Sequence, residues 1–82
     1  MDLREFDEGL FSELKKLRNN IARQEKVPAY IVFTDATLRD MCCKYPETLE
    51  ELLNVAGVGA VKMEKYGPAF TELIRGYGNG AN

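Results

Sequence analysis

The chain has 82 residues, of which 45% are hydrophobic, with no Trp and no His, and its 13 acidic and 11 basic side chains leave a net charge of −2. That length accommodates one domain with a modest core, and without histidine the commonest general base and metal ligand are missing. The acidic balance excludes a uniformly basic nucleic-acid binder, so any such function must rest on how charge is distributed.

Helix signals begin at Asp7, a candidate N-cap flanked by Phe6 and Phe11 at the spacing of a hydrophobic staple. Leu10, Leu14, Leu17 and Ile21 follow on one stripe, widened by Phe11, and predict a helix ending near Gln24. Pro28 restrains Val27 to extended backbone, so 26–33 reads as a connector with one short turn. A second staple, Phe33 and Leu38, surrounds Thr34 or Asp35 as the cap of a helix running to about Lys44, ahead of Pro46. Thr48 and Glu51 form a capping box that opens a short helix through Leu52 and Leu53.

Gly57-Val58-Gly59 is expected to end that helix and turn at once into the next, a helix-hairpin-helix-like arrangement. Gly67 then closes the helix carrying Lys62 and Lys65, and Pro68 at a first helical position opens the last, with Phe70, Leu73, Ile74 and Tyr77 inward. The expected fold is all-α, a compact, monomeric bundle of five short helices over 7–77, with flexible ends at 1–6 and 78–82. Its expected core includes Phe11, Leu14, Leu17, Ile21, Leu38, Leu52, Leu53, Phe70 and Leu73.

The apolar runs Tyr30–Phe33 and Val58–Val61 fall far short of the roughly 20 residues of a membrane span. The first residues lack the apolar core of a signal peptide, so the cytoplasm is the expected compartment. Cys42 and Cys43 are adjacent, which strains a bridge between them, and they read as reduced thiols, with Cys42 packed on the face of Leu38, Met41 and Tyr45. No other Cys and no His complete a metal set, and no Walker-type loop is present. Glu47, Glu50 and Glu51 cluster where acids complement a helix N-terminus, so no catalytic site, metal or cofactor is expected.

The ordered series Leu10-Phe11, Leu14-Lys15-Lys16-Leu17-Arg18, Ile21-Ala22, Val27 through Phe33 and Asp35 through Leu38 resembles the first half of an HRDC domain, the helicase and RNase D C-terminal module. Tyr45-Pro46, Glu51-Leu52-Leu53, Val55 through Gly59, Lys62, Tyr66-Gly67 and Phe70 continue the pattern in order. The Gly57-Val58-Gly59 turn with Lys62 and Tyr66-Gly67 is more similar to RecQ-type members than to RNase D-type ones. The resemblance implies a non-catalytic accessory module of an ATP-dependent DNA helicase, acting in replication, recombination or repair in the bacterial cytosol or nucleoid. Its implied partner is single-stranded or branched DNA, and ATP and Mg would belong to the parent helicase only. Acidic members serve protein contacts, so docking on the helicase core or a repair protein is the alternative; RNA binding, as in an RNase D-like exonuclease, is another.

On a helical wheel Lys15, Lys16, Asn19 and Arg23 lie opposite the leucine stripe, with Arg18 on a flank and Lys26 extending the cluster. An ordinary solvated face explains that pattern as well. Tyr30 stands in the Pro28 loop beside this basic end, where an exposed ring could stack an unpaired base; core packing is its other reading. Gly57 and Gly59 precede a helix N-terminus able to hold a phosphate, with Lys62 and Lys65 on the helix that follows. A tight packing turn with solvated lysines is the other, simpler reading of these residues. Binding through so few cations is expected to be weak and salt-dependent.

Overall fold

Asp7 opens α1 (Glu8–Glu25) by accepting the Leu10 amide at 3.0 Å, and the Phe6 and Phe11 rings meet edge-to-face with centroids 5.3 Å apart. The computed structural model describes residues 6–80 and contains four further helices, α2 (Ala29–Val32), α3 (Asp35–Lys44), α4 (Leu49–Leu52) and α5 (Ala60–Gly80). No strand occurs among the described residues. The all-α class and the count of five stand, but their membership differs from the expectation: the connector turn is itself a helix, and the last two expected helices are one. The flexible ends fall largely outside the described residues, and α5 runs on through Gly80.

Local chemistry sets the other starts. Thr34 accepts the Thr37 amide at 3.2 Å to cap α3, and Thr48 accepts that of Glu51 at 3.1 Å to cap α4. The Glu51 carboxylate reaches back one residue beyond the usual box, to the Glu47 amide at 2.8 Å. Lys26 and Tyr45 end α1 and α3 in left-handed conformations, at φ 60° and 50°.

The continuity of α5 through Pro68 has a steric reason. The α conformation is disfavoured before proline because the ring strikes the preceding Cβ, and Gly67 has none. Gly67 is also buried, and a Cβ there would lie 2.8 Å from Leu49 Cδ2, so the glycine serves close approach of α4 to α5 rather than a helix end. The Thr71 hydroxyl donates to the Gly67 carbonyl at 3.1 Å, tying the turn around the proline. Nor does Gly57-Val58-Gly59 end α4 directly. The chain leaves α4 after Leu52 and runs through 53–59, burying Val55 and Val58 before α5 begins.

The core forms where α1, α2, α3 and α5 converge, around Leu10, Leu14, Phe33, Leu38, Met41, Phe70 and Ile74, with Leu52 entering from α4. Among the expected core residues, Leu14, Leu38, Leu52 and Phe70 are buried, while Phe11, Leu17, Ile21 and Leu73 are partly buried at its margin. Leu53 is solvent-facing, because α4 ends one residue earlier and points only Leu52 inward. The buried line of α1 is Leu10, Leu14, Arg18 and Ala22, one step around from the expected stripe. Cys42 and Cys43 are free, and burial pushes the Cys42 thiol up to about 12, making it a packing residue at neutral pH.

Asp7 joins three helices. Its carboxylate accepts from Leu10 N, from the Tyr77 hydroxyl of α5 at 2.9 Å and from the Tyr45 hydroxyl after α3 at 3.0 Å. The Leu10 amide, then Tyr77, hold its acidity below the ordinary carboxylate value of 3.8. A depressed folded-state value stabilises the fold above the unfolded value and is lost as pH falls through the folded one. Melting temperatures followed on the acid side of 3.8 should therefore drop in the parent, with Asp7→Asn showing a shallower acid limb and a lower neutral-pH melting point. Parallel curves would exclude Asp7 as the group responsible.

Candidate nucleic-acid interface

Five of the expected contact residues are carried by segments that pack together: Arg23, Lys26, Tyr30, Lys62 and Lys65. Pro28 starts α2 at φ −61°, and the single turn that follows sends Val32 and Phe33 into the core while Tyr30 and Ile31 face water, 64% and 43% exposed. Tyr30 thus sits on a helical turn rather than in a loop, and its ring is open to a ligand.

Phe33 is the pedestal of this region. It is buried, packs edge-to-face on Phe70 at 5.0 Å and on Tyr66 at 5.9 Å, and carries the Lys62 ammonium over its ring at 6.0 Å. One turn along α5, Lys65 lies 3.3 Å from Glu25 Oε1 and 5.3 Å from the Tyr66 ring centre, and the Tyr66 hydroxyl donates to the same Glu25 oxygen at 2.8 Å. These contacts join the first turns of α5 to the end of α1, from which Lys26 leads into α2 and Tyr30. The Glu25 carboxylate, then Tyr66, raises the Lys65 ammonium above its ordinary value; burial, then the hydrogen bond to Glu25, raises the Tyr66 phenol. Lys65 is therefore a full cation at neutral pH.

Arg23 is exposed near the end of α1, with its guanidinium on Asn20 Oδ1 at 3.1 Å. Lys15 and Lys16 stand apart from the group. Lys16 is about 10 Å further up the α1 axis than Arg23 and is 3.5 Å from Glu13, while Lys15 lies over the Phe11 ring at 4.8 Å.

Arg18 is not part of an exposed basic flank. Only 7% exposed, it donates through one guanidinium nitrogen to the Phe33 carbonyl at 3.1 Å and to Asp35 Oδ1 at 2.6 Å. The Arg18 hydrogen bond is also what holds the Asp35 carboxyl below the usual range. Its side chain is committed to fastening the α2–α3 junction onto α1.

The two glycines before α5 differ. Gly57 has φ +86°, and a Cβ there would run into Thr37 Oγ1 at the start of α3, so it is required by packing. Gly59 has open space where a Cβ would stand, and its carbonyl accepts the Met63 amide at 2.8 Å as the first bond of α5. Both glycines are solvent-exposed, but only at Gly59 is there room for a side chain. Sequence spacing did not reveal Glu25, Phe33 and Tyr66 as the supports of this face; Phe33 was legible only as a staple.

A small all-helical module with a cationic and aromatic face defines the class of protein. The HRDC domain family model matches residues 7–74, and the chain belongs to that family. It is 45% identical over 71 residues to the ATP-dependent DNA helicase RecQ of Pasteurella multocida, covering 87% of this chain and 11% of the relative. It is 43% identical over 71 residues to RecQ of Bacillus subtilis, covering 87% of this chain and 12% of that protein. Similarity extends to the ATP-dependent DNA helicase UvrD2 of Mycobacterium tuberculosis, 41% identical over 70 residues, 85% of this chain and 10% of the relative. The chain thus spans about a tenth of the length of these relatives. Among solved structures, HRDC domain 3 of D. radiodurans RecQ superposes with a TM-score of 0.76 at 35% identity, over 79% of this chain and 86% of that one. No helix among the described residues is long and apolar enough to cross a membrane.

Proposed function

We propose that this HRDC domain binds single-stranded DNA, alone or at a branch, as a non-catalytic, monomeric accessory module of a RecQ-like ATP-dependent helicase in the cytoplasm. ATP and Mg are assigned to the motor of the parent protein. The carrying observation is Tyr30, a 64% exposed ring on a turn anchored by buried Val32 and Phe33. Lys26 precedes it in the chain, and Lys62 over Phe33 and Lys65 over Tyr66 approach from α5. Cations would meet the phosphates and the ring would stack one base, which is what separates single strands from duplex.

Tyr30→Ala is expected to lose roughly ten- to a hundredfold in single-strand affinity, the equivalent of one stacked base at about 1–3 kcal/mol. Its circular dichroism should stay helical, and Tyr30→Phe should retain most of the binding. Fluorescence anisotropy with a labelled oligothymidine reads both. Equal affinity of Tyr30→Ala and the parent would refute the stacking role.

A second reading, docking on the helicase core or a repair protein, is favoured by a different surface. Leu49 and Leu53 are 38% and 43% exposed around α4, beside Glu47, Glu50 and Glu51. That face would suit a basic, partly apolar protein segment and is distinct from the one carrying Tyr30.

A further inference from the structure

We infer that Glu25 is a built-in competitor for the phosphate seat at Lys65, and so sets the affinity and salt dependence of the single-strand site; the inference rests on the DNA-binding reading above. Glu25 is the last residue of α1, at the negative end of that helix dipole, where a carboxylate is disfavoured. It is held there by α5: Lys65 Nζ at 3.3 Å and the Tyr66 hydroxyl at 2.8 Å converge on one oxygen, Oε1. Two donors converging on a single anionic oxygen are equally suited to a phosphate oxygen.

The neighbours fit the same arrangement. Lys26 follows Glu25 directly, and Lys62 lies one turn before Lys65 and Tyr66 on α5. Neither has a carboxylate partner among the described residues. A strand running past Tyr30 would therefore meet flanking cations whose charge is available and a central one already neutralised. With side-chain exposures of 57% for Lys65 and 33% for Glu25, the pair is open to solvent, and an ion pair of that kind is weak enough for a phosphate to displace.

Anisotropy titrations of a labelled oligothymidine against the parent, Glu25→Gln and Glu64→Gln, at low and moderate salt, decide the matter. Glutamine keeps an oxygen for Lys65 and Tyr66 and removes only the charge. Glu25→Gln should bind about three- to fivefold more tightly at low salt, the ceiling for an exposed pair. Its plot of log affinity against log salt should steepen by about 0.7, one further phosphate neutralised. Glu64→Gln removes the same charge from an exposed residue beside Lys65 and should change little. Equal gains for the two variants would reduce the effect to net charge and overturn the inference, as would Glu25→Gln binding like the parent; the DNA-binding reading survives both results. No binding by any of the three overturns both.

Discussion

Phe33→Ala is expected to cost about 3–5 kcal/mol in urea unfolding, the usual range for emptying a buried phenylalanine site. A domain of this length holds roughly 4–12 kcal/mol in total, so the variant should be marginal or unfolded at room temperature. The effect is large because Phe33 is 1% exposed and is the shared neighbour of Tyr66 and Phe70, tying α2 to the middle of α5. Little can collapse into the space it leaves, since those rings meet it edge-on rather than each other. Phe33→Leu, which keeps most of the volume, should cost much less and retain the helical signal, while withdrawing the aromatic surface beneath Lys62. A cost below about 1 kcal/mol for Phe33→Ala would mean that the junction is loosely packed.

Arg18→Ala should cost about 2–4 kcal/mol, by stranding the buried Phe33 carbonyl and removing the aliphatic stem from the core. Asp35→Asn, at the other end of the same contact, should cost under about 1 kcal/mol, because Asp35 is half-exposed and water can replace what it loses. The asymmetry between the two variants is the diagnostic. Were Arg18→Ala to leave urea unfolding untouched and weaken DNA binding instead, Arg18 would be a ligand contact on an exposed flank, contrary to its place here.

Arg18 also marks where the sequence stops being legible. Leu10 and Leu14 continue equally well to Leu17 and Ile21 or to Arg18 and Ala22, since both pairs lie within one step of the same helical face. Hydrophobicity favours the first pair; the distant Phe33 carbonyl and the small volume of Ala22 select the second. The caps at Asp7, Thr34 and Thr48 were legible because capping is chemistry within three residues. Gly67-Pro68 carries the signs of a helix end, but a residue without a Cβ lets the helix pass the proline, and the approach of α4 gives that glycine a second reason that no local pattern shows. The cationic face was half legible. Lys26, Tyr30, Lys62 and Lys65 stand out by type, but Glu25 meets Lys65 and Tyr66 across about half the chain, with no local pattern to announce it.

The central claim is that one face, built on Phe33 and the α1–α5 contact, binds single-stranded DNA. An amide chemical-shift titration with a short single strand, run at low and moderate salt, tests it most directly because it reports both occupancy and location. Shifts should concentrate at Arg23, Lys26, Tyr30, Gly59, Lys62 and Lys65 and shrink as salt rises, since a few phosphate contacts depend on counterion release. Shifts confined to Leu49, Glu50 and Leu53 around α4, or none at low salt, would contradict the claim.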